Sequence, residues 1–333
     1  MSSAEFDAFG PWIDQIRTDD EVPRLYRDHG LDLAAHRLVL KVPRNITRRD
    51  ATPDMDLYDH ILAAGPTRLT VLSRRPGGYA ETAVEYGQIA AIADSTDLLD
   101  GRLVLHLRAA PALEIRYNGS ASAVVGTLVR TLRELRRAAL AGSPLALFHG
   151  DAAIHGDAAI QDDAAVQDYS AVQDYSAAAP VRALSRDALG ERDVDLVSQY
   201  RELLRAEPAV RLLAAHGRSV RTPRGGALTR ALHVAHPMTL QGALVCADAA
   251  ELQVLGRRGW FVRGSRPVHS LARLVVPLAG LDDVTVRDHD RYAGVRVVTL
   301  HAGTARFDCP VPAGSEAEAA LLAAAPVAAS ARA

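Results

Sequence analysis

Leu69-Thr-Val-Leu-Ser-Arg-Arg75 recurs later in the chain as Leu252-Gln-Val-Leu-Gly-Arg-Arg258, with alternating apolar residues and a double arginine at the end. Alternation with period two predicts a half-buried strand, and the arginines a basic turn after it. Working outward, Val84, Tyr86, Ile89 and Ile92 are matched by Val276, Leu278, Leu281 and Val284 at a constant offset of 192. Arg102-Leu-Val-Leu then corresponds to Arg296-Val-Val-Thr, and Leu113-Glu-Ile to Phe307-Asp-Cys, both at an offset of 194. Order is kept and the gaps fall in loops, which is the signature of an internal duplication.

Within each copy, short runs rich in Val, Ile and Leu are separated by turn chemistry such as Pro76-Gly77-Gly78, Asp100-Gly101 and Ala302-Gly303, which predicts a meander of antiparallel strands. A helix closes each copy. In the first, Ser122 is placed to cap a stripe of Val124, Val125, Leu128, Val129, Leu132 and Leu135, with Arg130, Arg133, Arg136 and Arg137 expected outside. In the second, Ser315 and Glu318 form an S-x-x-E capping box and Pro326 stops the helix. About six strands followed by one amphipathic helix make a small barrel with its open end plugged.

The run Ile61-Leu-Ala, Leu69-Thr-Val-Leu, Val84-Glu-Tyr-Gly-Gln-Ile-Ala-Ala-Ile, Gly101-Arg-Leu-Val-Leu and Leu113-Glu-Ile before a helix resembles a bacterial pleckstrin-homology-like (PH-like) domain. Val275-Val-Pro-Leu-Ala-Gly-Leu-Asp-Asp-Val-Thr-Val resembles the same unit in the second copy. The resemblance is to tandem bacterial PH-like proteins of actinobacterial type. It implies an α+β chain with two small antiparallel β-barrels, each closed by a C-terminal helix, and covers about half the chain through strand order and apolar spacing.

The expected organisation is an N-terminal helical and extended segment over 1–55, packing on the first barrel, and PH-like units over 56–140 and 236–326. Between them lie an acidic hexad-repeat linker over 141–185 and a helical pair with a basic loop over 186–235; a disordered tail follows over 327–333. The N-terminal segment carries a possible capping box at Thr18 and Glu21 and a strand from Arg37 ended by Pro43. Residues 151–180 are five hexads, from Asp151-Ala-Ala-Ile-His-Gly to Tyr175-Ser-Ala-Ala-Ala-Pro, too alanine-rich to stack as a β-helix and read as a flexible linker. In the helical pair, Leu196, Val197, Tyr200, Leu203 and Leu204 line one face, and Pro208 is expected to start a second helix ended by His216-Gly217.

The 333 residues are 48% hydrophobic and 23% charged with a formal net charge of -2, which excludes fibrous and wholly disordered classes. Cys246 and Cys309 fall outside any metal-ligand or disulfide spacing. No basic-then-apolar leader opens the chain and no apolar run approaches membrane length, so the expected location is cytoplasmic, or peripheral to the inner face of the membrane. Of 38 lysine and arginine residues only Lys41 is lysine, a bias of GC-rich coding before it is chemistry.

Among the arginines, Arg74 and Arg75 are expected at the tip of an early hairpin, and Arg257, Arg258, Trp260 and Arg263 at its counterpart, with Arg266 and Phe261 nearby. These are the anion- or lipid-binding candidates, since forked guanidiniums match phosphate and an aromatic beside cations suits a membrane interface. The resemblance to lipid-binding PH domains places the pairs near the headgroup loop. Against this, the first copy has no spaced basic array after Arg75, and Trp260 or Phe261 has the alternative of packing inward. Arg211, Arg218, Arg221, Arg224 and Arg230 form an acid-free stretch that the aspartates of the hexads are able to mask. It lacks interleaved aromatics, which argues against nucleic acid.

No catalytic residue, metal site or cofactor is expected. His149, Asp151, His155 and Asp157 lack a rigid frame, while Asp54, Asp56, Asp59 and His60, or Asp288, His289 and Asp290, read as exposed turns. No phosphate loop, dinucleotide fingerprint, nucleophile elbow or His-Glu-x-x-His occurs. The leading expectation is a non-catalytic binding or scaffold protein that engages a protein or peptide at a barrel edge by β-addition. Peripheral association with an anionic membrane surface, and an enzyme with a site assembled from scattered loops, are the alternatives.

Overall fold

A computed structural model describes residues 4–140, 184–225, 237–264 and 268–325. The hexads, His149, His155, Arg230, Arg266 and the tail lie outside them. The chain divides into two compact units: one holds described residues 4–89, 99–101 and 116–140, and the other residues 90–98, 102–115 and those from 184 onward.

The first unit begins with helix α1 (Ala4–Ala8) and strand β1 (Asp14–Gln15), then three short 3₁₀ helices. β2 (Leu38–Pro43), β3 (Tyr58–Ala64), β4 (Arg68–Arg75) and β5 (Gly78–Glu85) follow, and the five strands form an antiparallel sheet in sequence order. Phe9, Ile16, Val22 and Tyr26 of the N-terminal segment cluster with Val39, Tyr58, Ile61 and Leu72 of the sheet. The segment is therefore part of the core of this unit. The Glu21 carboxylate accepts from the Arg17 and Thr18 backbone N–H groups at 2.6 and 3.3 Å, closing the turn at the predicted capping residues.

Helix α2 (Ser122–Leu140) packs on the turn Tyr86–Gln88 with Val125, Leu128, Val129, Leu132 and Leu135 buried. Two of the four arginines expected outside are inside: Arg133 and Arg136 are buried, and Arg136 Nε donates to the Ile89 carbonyl at 3.2 Å. The apolar stripe is wider than the apolar residues alone, because long arginine stems bury their methylenes while the head satisfies a carbonyl.

In the second unit β6 (Ile89–Asp97), β7 (Asp100–Leu107) and β8 (Leu113–Asn118) are followed by helix α3 (Val194–Ala206). The remaining strands are β9 (Arg211–His216), β10 (Ser219–Arg221), β11 (Met238–Leu240), β12 (Ala243–Ala247), β13 (Glu251–Gly256), β14 (Phe261–Arg263) and β15 (Ser270–Pro277). β16 (Asp283–Asp288), β17 (Val295–Ala302), β18 (Ala305–Pro312) and helix α4 (Glu316–Leu322) end the unit. Seven strands form one sheet in the order β8-β7-β6-β15-β13-β12-β9, while β10-β11-β14 and β16-β17-β18 form two sheets of three.

The segment expected as the second helix of a pair is β9 instead. Arg211–His216 alternates half-buried and buried residues and pairs antiparallel with β12. Only a few residues separate Pro208 from Gly217, too few to propagate a helix against a full ladder of strand hydrogen bonds.

Both faces of the β9, β12 and β13 region are covered, which explains its nearly uninterrupted hydrophobicity. Leu244, Cys246 and Leu255 turn toward Leu196, Val197, Tyr200 and Leu203 of α3. Val245, Ala247, Leu252 and Val254 turn the other way, toward Val298, Leu300, Phe307 and Cys309 of the β16–β18 sheet and Ala317 and Leu321 of α4. α4 begins at the predicted Ser315, whose hydroxyl accepts from the Glu318 N–H at 3.2 Å; the Glu318 carboxylate reaches Gly314 N at 2.6 Å. The chain is thus α+β with mostly antiparallel sheets, and none of these sheets closes into a barrel among the described residues.

Tyr86 is fully buried, and its hydroxyl donates toward the carbonyls of Gly65 and Arg68 at 2.6 and 3.1 Å. Tyr86→Phe is expected to destabilise by about 1–2 kcal/mol, read as a lower urea midpoint with unchanged m. Burial also lowers the pKa of His60, His106 and His216. The unfolded chain takes up these protons first, so stability is full above about pH 6.5 and declines as the pH falls toward the folded-state values. Urea midpoints at pH 7.5 and 5.5 should differ in that sense, and His106→Phe, which keeps the ring against Phe307, should shallow the slope.

Candidate functional site

The β16–β18 sheet presents a polar outer face. Strand alternation sends Val284, Val298, Leu300, Phe307 and Cys309 to the core, leaving Thr285, Arg287, Thr299, His301, Arg306 and Asp308 to line an open groove. Cross-strand register sets Thr285 opposite Thr299, Thr299 opposite Asp308, and His301 opposite Arg306. Thr299 Oγ1 donates to Asp308 at 2.6 Å, and Thr285 Oγ1 lies 2.9 Å from His301 Nε2. Arg287 spans Asp290 at 3.3 Å and Asp308 at 3.4 Å, whereas Arg306 makes no hydrogen bond or ion pair among the described residues. Two guanidiniums against one groove carboxylate favour a polar or acidic side chain. The groove adjoins β16, an end strand exposed along most of its length, with Val286 41% exposed.

The arginine candidates separate on inspection. Arg74 is held by Asp59 at 2.9 Å, and Arg75 is exposed beside the Pro76-Gly77 turn. Arg257 is not at a tip. Its side chain is fully buried, with Nη2 2.7 Å from Asp193 and Nη1 2.5 Å from Asp195, and it also donates to the carbonyls of Arg192 and Ser270 at 3.0 Å. Arg218 Nε contacts both oxygens of the same buried Asp193 at 3.0 and 3.1 Å. Burial opposes the charge on Arg257, but the bonds to Asp195 and Asp193 outweigh it and raise its pKa. Arg258 bonds Ser95 through Nε at 3.2 Å, Trp260 packs against the core between the sheets, and Arg263 is exposed on β14. Within the second unit Arg257, Arg258 and Trp260 therefore each have their own partners inside the chain. The anions of Arg257 are the chain's own.

The acidic turns are likewise engaged. Arg24 reaches Asp56 at 3.4 Å and the Pro53 carbonyl at 2.9 Å, while His60 bonds Ser73 at 3.0 Å. Asp288 pairs with Arg224 and Arg296, each at 2.9 Å, and His289 packs with Phe261 and Tyr292 at centroid distances of 5.0 and 5.1 Å. Among the described residues no group of three or more His, Cys, Asp or Glu is placed to hold a metal ion. No helix there is long and apolar enough to cross a membrane.

Sequence reasoning missed the groove, whose residues are scattered single polar positions inside strand patterns. It also missed Leu98 and Leu99, 71% and 67% exposed in the turn between β6 and β7, where Leu98 adopts a φ of 53°. The turn is what exposes them.

Arg257→Ala strands Asp193 without one of its two guanidiniums and should cost about 3–5 kcal/mol, whereas Arg75→Ala and Arg263→Ala should each stay within about 0.5 kcal/mol. Chemical denaturation of the three variants checks this. Comparison with protein-family models, curated proteins and solved structures finds no match to this chain.

Proposed function

We propose that this chain is a non-catalytic binding or scaffold protein, built from two PH-like copies, that captures an extended segment of a protein partner at a sheet edge. The duplicate reading is supported by element order. β2, β3, β4, β5, the turn Tyr86–Gln88, β6, β7, β8 and α2 have counterparts in β9, β12, β13, β15, the turn Leu278–Gly280, β16, β17, β18 and α4. Both turns are single 3₁₀ turns, closed by Ile89 N to Tyr86 O and by Leu281 N to Leu278 O, at the positions the 192 offset relates.

The observation that carries the binding reading is β16. One side of this strand pairs with β17, and its other side meets no strand among the described residues. His289 N donates to Val295 O at 3.0 Å, so the odd-numbered residues bond β17 and the backbone N–H and C=O groups of Val284, Val286 and Asp288 point outward. An added strand satisfies those groups, and its alternate side chains reach the groove beside Thr285 and Arg287. The anionic-membrane reading has no comparable support, because Arg74, Arg257 and Arg258 already hold partners within the chain.

Selection of a displayed random-peptide library on the full chain is expected to yield extended ligands. Their binding should slow hydrogen exchange across 282–289 and weaken at least about tenfold in Val286→Pro, which removes an outward N–H and leaves the β17 ladder intact. Ligands indifferent to that substitution would count against the reading.

A further inference from the structure

We infer that the strand received at β16 is β5 of a second copy of this chain, so that copies associate head to tail. This rests on the two-copy, edge-binding reading above. The template lies within the second unit: β6, from the first-copy sequence, pairs antiparallel along six residues with β15, from the second, with Ile92 opposite Val275 and Asp97 opposite Ser270. β6 corresponds to β16, and β15 to β5, at the 192 offset. The pairing is heterologous, joining two different edges, and a heterologous contact leaves one edge of each kind unused. Those unused edges are β5 and β16. Each ends its sheet and meets no further strand among the described residues.

Carrying the β6·β15 register across sets Tyr79 opposite Asp288, Ala80 opposite Arg287, Glu81 opposite Val286, Thr82 opposite Thr285 and Ala83 opposite Val284. No like charges meet, threonine faces threonine, and the two small apolar residues face each other, which are favourable cross-strand pairs. Backbone polarity agrees independently. The two-residue Pro76-Gly77 loop makes Arg75 and Gly78 a hydrogen-bonded pair, so Tyr79, Glu81 and Ala83 turn their N–H and C=O groups outward. These are the residues that the register sets against the outward-facing Val284, Val286 and Asp288. Tyr79 and Glu81 contact His29 through their side chains.

Sedimentation of the full chain from about 1 to about 200 µM tests this. Wild type should shift with concentration from monomer to a head-to-tail series. Ala83→Pro and Val286→Pro, each blocking one edge, should sediment as monomers alone, and their equimolar mixture should form a heterodimer and stop there. If either proline variant fails to fold by circular dichroism, Val286→Glu, which faces Glu81, should weaken association at least about fivefold, and adding Glu81→Lys should restore it. A wild-type monomer over the whole range, self-association unchanged in the single variants, or a mixture that stays monomeric overturns the inference. A monomeric chain that still binds selected peptides in a Val286-dependent way overturns self-pairing alone; loss of both overturns the edge reading too.

Discussion

A guanidinium with no access to water must find its counter-charges inside the chain, and in the second unit Arg257 does so with Asp193 and Asp195. Removing these charges from water costs several kcal/mol per ion, so the arrangement persists only because the bonds are short and shared. Asp193 precedes α3 and Asp195 lies in its first turn, where carboxylates also meet the positive end of the helix dipole. The network therefore fixes where α3 starts, and α3 in turn covers one face of β9, β12 and β13. Gly242 belongs to the same constraint. A Cβ there would sit 2.8 Å from an Asp193 oxygen and 3.1 Å from the His216 carbonyl, so a larger residue would push the carboxylate out of place.

With α3 on one face and the β16–β18 sheet and α4 across the other, the seven-stranded sheet has little free surface around β12 and β13. What remains for recognition is at edges and on the outer face of the small sheet. Among the described residues, Asp56, Asp59 and Asp288 are tied to arginines, His60 to a hydroxyl and His289 to aromatic rings.

Much of the secondary structure was legible because it follows from local chemistry. Ser315 with Glu318, Pro43 at the end of β2, the Pro76-Gly77 turn and the stripe of α2 each declare themselves within a few residues. The failures share one cause. Arg133, Arg136 and Arg257 read as surface charges because their partners, the Ile89 carbonyl for Arg136 and Asp193 for Arg257, lie far away along the chain. β9 read as a helix because the strand that claims it, β12, is likewise distant. The groove was invisible because it is assembled from two residues of each of three strands.

The chain's own order of residues determined its α+β character, the positions of most strands and the start of the last helix. Periodicity and capping act over one or two turns of chain and need no tertiary knowledge. Only the folded structure decided which arginines are buried and which strand edges pair, because those outcomes depend on which groups find a partner tens of residues or more away. The pairing of β6 with β15 is the clearest case, because neither strand names its neighbour.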